Sequence, residues 1–351
     1  MKEVAVAIVS KPVVTGGVDT HADTHVAAAL DRVGGLLGVE SFPVNPAGYT
    51  ALLRWLRRHG TVTLVGVEGT GSYGAGLTRH LAAAGVTVVE INRADRQDRR
   101  LSGKSDTLDA ISAARTALSG KGRKPRGRDG SVEAIRVLVV AKRSARSERI
   151  ASINQARSLV FTGPEDIRAR YARHSTKVLL AELAGLRPRA GDVVGYTTRI
   201  ALRELARRVE FLDDQADRLD ELLVPMVTLR AAGLLKLYGV GVDGAAALLI
   251  AAGDHPERLR SEAAWAHLCG AAPVPSSSGK SSGRLVLNTA GDRQANHALW
   301  RIVLTRMSAH PDTRVYVERR TKEGKSKQEI MRCLKRYVAR ETFPHLRSAI
   351  A

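Results

Sequence analysis

The sequence predicts an α/β N-terminal third, then a long helical region, then a smaller and mostly helical C-terminal part. Three observations carry this. Two short runs rich in valine, Val13 to Val18 and Val62 to Val67, end in the acids Asp19 and Glu68. Apolar residues at helical spacing separate such runs in the first third and continue from about Val132 to Leu229. Glycine, proline and basic residues cluster at 121–128, between the two regimes.

Val13 to Val18 reads as the first strand, because β-branched residues fit a pleated, half-buried surface. Thr24 to Leu30 is the second, after a turn containing His21, Asp23 and His25. Gly38 to Phe42 is a short third, and Asp31-Arg32-Val33-Gly34-Gly35 supplies the hairpin chemistry before it. Ala47 to His59 reads as a helix with Leu52, Leu53 and Leu56 inward and Gly60 as its cap. Val62 to Val67 is the fourth strand. Tyr73 to Ala84 is a helix closed by Gly85, and Val86 to Ile91 is the fifth strand. Ser105 to Leu118 is a helix with Ser105 as N-cap. Three hairpin-linked strands followed by helix, strand, helix, strand, helix is the order of a ribonuclease-H-like fold.

The acids are the most informative residues. Asp19 and Glu68 sit at strand tips, and Asp106 and Asp109 open the Ala-rich helix. A carboxylate there loses hydration unless a cation or donors compensate. Helical positions i and i+3 share a face, so Asp106 and Asp109 can point at one place. Four converging carboxylates make an oxygen-rich site that suits Mg2+, the equipment of two-metal phosphoryl transfer. Asp23 is a fifth acid nearby, with a turn or supporting role.

Charge agrees on the partner. The chain has 55 Lys+Arg against 35 Asp+Glu, a formal net charge of +20. A surplus of that size attracts polyanions. A ribosomal or merely sticky protein could be as basic. An acid cluster inside a basic chain is more telling, since acids beside nucleic acid need metal ions to invert the local charge. Aromatics are 4% of residues, so stacking of bases on aromatic platforms is not the obvious binding mode. Cys269 and Cys333 lack metal-ligand spacing and read as reduced thiols of a cytoplasmic protein. No signal-peptide pattern follows Met1, and no run reaches about 18 apolar residues, so neither export nor a membrane span is expected.

Lys121 to Arg128 reads as a basic linker, solvated or lying on phosphates. Leu205, Val209, Leu212, Ala216, Leu219, Leu223 and Met226 form a heptad seam. A coiled coil between chains or a packed helix within one satisfies it, and oligomerisation is the favoured reading. Gly239-Val240-Gly241 lies between two helical runs like a helix-hairpin-helix turn. Its glycines would let the chain approach a phosphate, and the following helix start offers N–H groups. An ordinary turn between helices also uses glycine. Ser276-Ser277-Ser278-Gly279-Lys280-Ser281-Ser282-Gly283-Arg284 has the composition of a flexible loop. In it Lys280 and Arg284 could neutralise a phosphate beside a serine hydroxyl. A helix from about Asp292 to Met307 and a basic tail, including Lys322, Lys325 and Lys327, complete the chain. The expected divisions are residues 1–125, 126–229 and 230–351.

Gly17-Val18-Asp19-Thr20-His21, Val67-Glu68-Gly69-Thr70-Gly71 and Lys104-Ser105-Asp106-Thr107-Leu108-Asp109 together resemble the DEDD transposases of the insertion-sequence-110 group. Gly239-Val240-Gly241 and the Leu268 to Arg284 segment resemble that group's C-terminal transposase domain. The resemblance implies a Holliday-junction-resolvase-like (RuvC-like) domain, a coiled-coil region and a small transposase domain. It implies a DNA recombinase guided by a structured bridge RNA, acting on donor and target duplex DNA, as a dimer or tetramer near the nucleoid of a bacterium or archaeon. By carry-over, Asp19, Glu68, Asp106 and Asp109 hold Mg2+, as two ions, with Mn2+ able to substitute. The nucleophilic serine falls on Ser278, before Gly279, with Ser276 and Ser277 as alternatives. Gly239, Gly241, Lys280, Arg284, Lys322 and Lys325 are the expected nucleic-acid contacts.

Two other classes fit parts of the pattern. A RuvC-like, metal-dependent, structure-specific endonuclease needs the acids and not the serine. A non-catalytic nucleic-acid scaffold needs only the hairpin and the basic residues.

Overall fold

The computed structural model describes residues 11–91, 105–125, 130–188, 191–253, 259–275, 285–288 and 291–350. The chain divides into two compact units, Met1–Arg128 and Asp129–Ala351.

The first unit is built on a five-stranded sheet of order β3-β2-β1-β4-β5. Its strands are β1 (Val13–Thr20), β2 (Thr24–Leu30), β3 (Leu36–Pro43), β4 (Thr61–Glu68) and β5 (Thr87–Ile91). β1, β2 and β3 are antiparallel neighbours, and β4 and β5 run parallel to β1. Among the described residues it also carries helices α1 (Pro46–His59), α2 (Ala75–Ala83) and α3 (Asp106–Leu118). Asn45 caps α1 by accepting from the Gly48 N–H at 2.8 Å, with Pro46 opening the first turn. α2 starts two residues later than its sequence pattern, because the N–H groups of Ser72 and Gly74 both bond Gly69 in a preceding turn.

The two faces of this sheet are packed differently. Val14, Val18, Val65 and Val67 join Leu52, Leu53, Leu56, Leu77 and Leu81 in the core under α1 and α2. The other face is cut back to glycine. A Cβ on Gly17 would stand 2.1 Å from the Ala114 nitrogen, and one on Gly66 would stand 2.7 Å from the Ala113 oxygen. Gly17 and Gly66 are paired across β1 and β4. Together with Ala110, Ala113, Ala114 and Ala117 they let α3 lie directly on the sheet.

The second unit is helical, with a two-stranded ribbon. Its helices are α4 (Ser131–Thr162), α5 (Glu165–Tyr171), α6 (Thr176–Ala184), α7 (Val193–Leu235), α8 (Val242–Ala252), α9 (Glu262–Leu268), α10 (Arg293–Ala309), α11 (Pro311–Lys322) and α12 (Lys327–Ile350). β6 (Pro273–Pro275) pairs antiparallel with β7 (Leu285–Leu287). α4 and α7 run antiparallel along each other. Ile135 and Val139 share a core with Leu223 and Val227, whereas Ala156 and Val160 share one with Leu202 and Ala206. Val209, Leu212, Ala216 and Leu223 of the heptad seam are buried, and Leu205, Leu219 and Met226 partly so. The seam is therefore used within the chain, against α4, and by itself gives no ground for an oligomer.

α7 carries a kink at Ala231, its one non-helical residue, next to the division expected at 229/230. The segment expected to be a basic tail is corrected. It forms the end of α11 and most of α12, whose Ile330, Leu334, Val338 and Leu346 are buried at helical spacing. Their spacing is present in the sequence but obscured by the dense Lys and Arg around it.

Candidate metal centre

Strand pairing brings the first two acids together. Val18 lies beside Val67, so Asp19 and Glu68 follow on adjacent parallel strands. Side chains alternate along a strand. Asp19 is thus on the face of Gly17, the face that α3 covers. α3 meets Gly17 through Ala110 and Ala114. Its first turn, carrying Asp106 and Asp109, is thereby carried to the end of β1. The small residues of the sheet and helix set the position of the acids. Ser105 is the N-cap, as expected, in extended conformation and without a side-chain capping hydrogen bond.

Oxygen or nitrogen atoms of Asp19, His21 and Asp106 all lie within 4.8 Å of one another. His21 Nε2 is 3.1 Å from Asp19 Oδ2 and 3.3 Å from Asp106 Oδ1. Asp19 is 6% exposed, whereas Asp106 is open to solvent. Burial pushes the Asp19 carboxyl above the usual carboxylate range. His21 opposes this by charge and by its hydrogen bond, and the charges of Asp109 and Asp106 add to it. Glu68 is half-buried at the end of β4, outside the tight group, and its backbone oxygen accepts from Thr20 Oγ1 at 2.8 Å. Asp23 is exposed, and its carbonyl accepts from the Val44 N–H at 3.1 Å, consistent with a turn role.

By sequence alone His21 belongs to a turn, with no role at the site. The signal for it was there: it stands two positions after Asp19, and i and i+2 share a face of a strand. The donor set suits a divalent cation. Asp19 and Asp106 offer oxygens for Mg2+ or Mn2+, and an imidazole nitrogen suits Mn2+ better than Mg2+.

The expected nucleic-acid contacts lie in the second unit. Gly239 has φ +78°, a left-handed conformation that favours glycine, and Gly241 caps α8. A Cβ on Gly241 or Gly244 would meet only open space, so packing requires neither glycine. A cavity of about 690 Å³ opens at this turn, lined also by Arg143, Arg146 and Arg301. Lys322 and Lys325 are exposed near the junction of α11 and α12. Ser278, with Ser276, Ser277, Lys280 and Arg284, lies outside the described residues. These residues fall between β6 and β7 in the sequence.

A mixed sheet carrying acids at adjacent strand ends, with a helical remainder, is consistent with a ribonuclease-H-like fold. Two family models match along the chain. The DEDD model of the IS110 group, described as Transposase, matches residues 16–162, and the one described as Transposase IS116/IS110/IS902 family matches residues 231–318. The chain belongs to the IS110-group transposase family. It is also similar to the insertion element IS900 uncharacterized 42 kDa protein of Mycobacterium paratuberculosis, 28% identical over 173 residues. That match spans 48% of this chain and 43% of the relative, less than half the length of either. No helix among the described residues is long and apolar enough to cross a membrane.

Proposed function

We propose that the chain is the DNA transposase, a site-specific recombinase, of an insertion sequence. The observation that carries this is the approach of Asp19, His21 and Asp106 within 4.8 Å at the end of β1, in a member of a transposase family. Asp19, Glu68, Asp106 and Asp109 form the metal site, with Mg2+ as its ion, as a pair, and Mn2+ as a substitute. Bound there, the metal supplies charge stabilisation for phosphoryl transfer. The protein's own residues do the positioning. β1 and β4 hold Asp19 and Glu68, α3 delivers Asp106 and Asp109, and His21 orients the two carboxylates that it touches.

Ser278 is the nucleophile. Its Oγ loses a proton and bonds to phosphorus as the deoxyribose oxygen leaves and gains one. The phosphodiester energy is retained in the phosphoserine, so the reverse attack by a new strand end can rejoin DNA without an external energy source. Such a hydroxyl needs activation, which no neighbouring histidine in the sequence supplies.

Gly239 and Gly241, with the basic cavity beside them, bind backbone phosphate as a helix-hairpin-helix would, and Lys280, Arg284, Lys322 and Lys325 add phosphate contacts. The chain works as a RuvC-like domain, a coiled-coil region and a transposase domain, as a homo-oligomer near the nucleoid. A bridge RNA chooses the DNA by base pairing, and the protein reads shape and backbone.

The test uses a nicked DNA substrate on which a covalent adduct would accumulate. Wild type should give a protein–DNA adduct that survives denaturation and maps to Ser278, lost in Ser278→Ala and in Asp106→Asn. An adduct on Ser276 or Ser277 would move the nucleophile. Cleavage without any adduct, retained in Ser278→Ala, would favour the endonuclease.

A further inference from the structure

A second cavity lies between α12 and the turn at residues 270–273. Its volume is about 520 Å³, within the range of small-ligand sites. Ala271, Ala272, Pro273 and Tyr337 line it, and the rim carries Arg332, Lys335, Arg336 and Arg340. The floor is apolar, and the rim is cationic apart from Glu329, whose carboxylate feels the charge of Arg332. Tyr337 is 50% exposed, with its edge against Tyr316 and the Arg340 guanidinium 5.9 Å from its ring centre.

The cations are held in different ways. Arg336 and Arg340 both pair with Glu262. Lys335 Nζ donates to Asn296 Oδ1 at 3.0 Å, and Asn296 Nδ2 donates to the carbonyls of Cys269 and Gly270. This chain fixes the turn at Gly270, from which β6 begins, to α12. Burial, and after it the neighbouring Arg332, hold the Lys335 amine below its usual pKa. Arg332 is exposed and makes no hydrogen bond or ion pair among the described residues. A flat aromatic ring beside an apolar floor suits a nucleobase, and a free guanidinium at the rim suits its phosphate. Duplex DNA presents phosphates but keeps its base faces stacked. Scarce as aromatics are in this chain, one sits where a base face would need it.

We infer that this cavity receives one unpaired nucleotide of the nucleic-acid partner, its base against Tyr337 and Pro273 and its phosphate on Arg332. The inference rests on the reading of the chain as a DNA-processing protein. It adds a site at which a strand opened from its duplex is held, next to the ribbon that leads in sequence into the serine segment.

The full chain should be titrated against a strand bearing one fluorescent base analogue, as single-stranded DNA, as single-stranded RNA and as duplex DNA. Stacking quenches the analogue. Wild type should quench it in a single strand and not in the duplex, and the DNA and RNA arms identify which strand is held. Tyr337→Ala should lose the quenching and bind the single strand about tenfold or more weakly, with duplex binding unchanged, and Tyr337→Phe should behave as wild type. Exposed Arg332→Gln should keep the fold and lower the salt dependence of binding by about one phosphate's worth. Unchanged quenching in Tyr337→Ala, or an unchanged salt slope in Arg332→Gln, would overturn the pocket and leave the recombinase reading intact. Failure of the wild type to bind any nucleic acid would overturn both.

Discussion

Asp19 in the first unit and Lys142 in the second are both buried charges, at 6% and 4% exposure, and they are treated in opposite ways. Lys142 is surrounded by opposite charge. It pairs with Asp220 and donates to Asp243 Oδ1 at 2.7 Å, and Arg146 donates to Asp243 Oδ2 at 2.7 Å. Burial would push the Asp243 carboxyl up, but the hydrogen bonds from Lys142 and Arg146 win and hold it below the usual carboxylate range. Asp19 has one imidazole for company and two like charges beyond it, and its carboxyl is pushed the other way. A compensated buried charge ties α4, α7 and α8 together. A carboxylate placed like Asp19 suits a functional rather than a structural role.

The largest expected effect breaks the compensated side. Lys142→Ala takes the cation from Asp220 and leaves Asp243 with Arg146 alone, and should cost about 2–3 kcal/mol in unfolding free energy. That is below the roughly 3–5 of a fully buried pair, because both acids reach water. Asp19→Asn is its counterpart. It should leave the thermal midpoint unchanged or raised, because it relieves repulsion, while abolishing strand cleavage. A melting point lowered as much as in Lys142→Ala would mean that Asp19 is a structural residue like Lys142.

Gly17→Ala sharpens the comparison. The added carbon would collide with the Ala114 backbone, so α3 must move. Overpacking of this kind costs about 1–3 kcal/mol. It should also weaken Mn2+ binding measured by calorimetry, with every acid still in place. Unimpaired binding would show that α3 does not need that seat on the sheet to deliver its carboxylates.

The smallest effect is one of pH. His25 is fully buried, stacked on Tyr49 with ring centres 5.8 Å apart. Burial pushes its pKa below the ordinary 6.5, opposed by the Thr24 backbone and aided by His21. The opposition is partial, since neither ring nitrogen finds a hydrogen bond of good geometry. Below about pH 6.5 the unfolded chain therefore binds a proton that the folded chain resists, and stability falls as pH falls. The midpoint should drop by about 2–4 °C between pH 7.5 and 5.5, and the drop should shrink in His25→Leu. An equal drop in the variant would assign it to other groups.

Much of the first unit was legible because its signals are local. Valine-rich runs, the turn at Asp31 to Gly35 and glycines after helices place the five strands and three helices of its described residues to within a few residues. The second unit was less so. A heptad seam states that one face is buried and is silent on its partner, and only the folded chain answers that it is α4. The apolar stripe of α12 was hidden under its own basic residues.

Residue identities supply the chemistry available to this protein: acids at strand tips, a glycine and alanine seat for a helix, a serine-rich segment and a surplus of positive charge. Tertiary structure decided which of these meet. It drew Asp19, His21 and Asp106 together while leaving Glu68 outside the tight group, and it turned a basic tail into the wall of a pocket. The reason is physical. Residue identity fixes what a group can do, whereas distance between groups far apart in the chain depends on packing of surfaces that sequence periodicity describes one at a time.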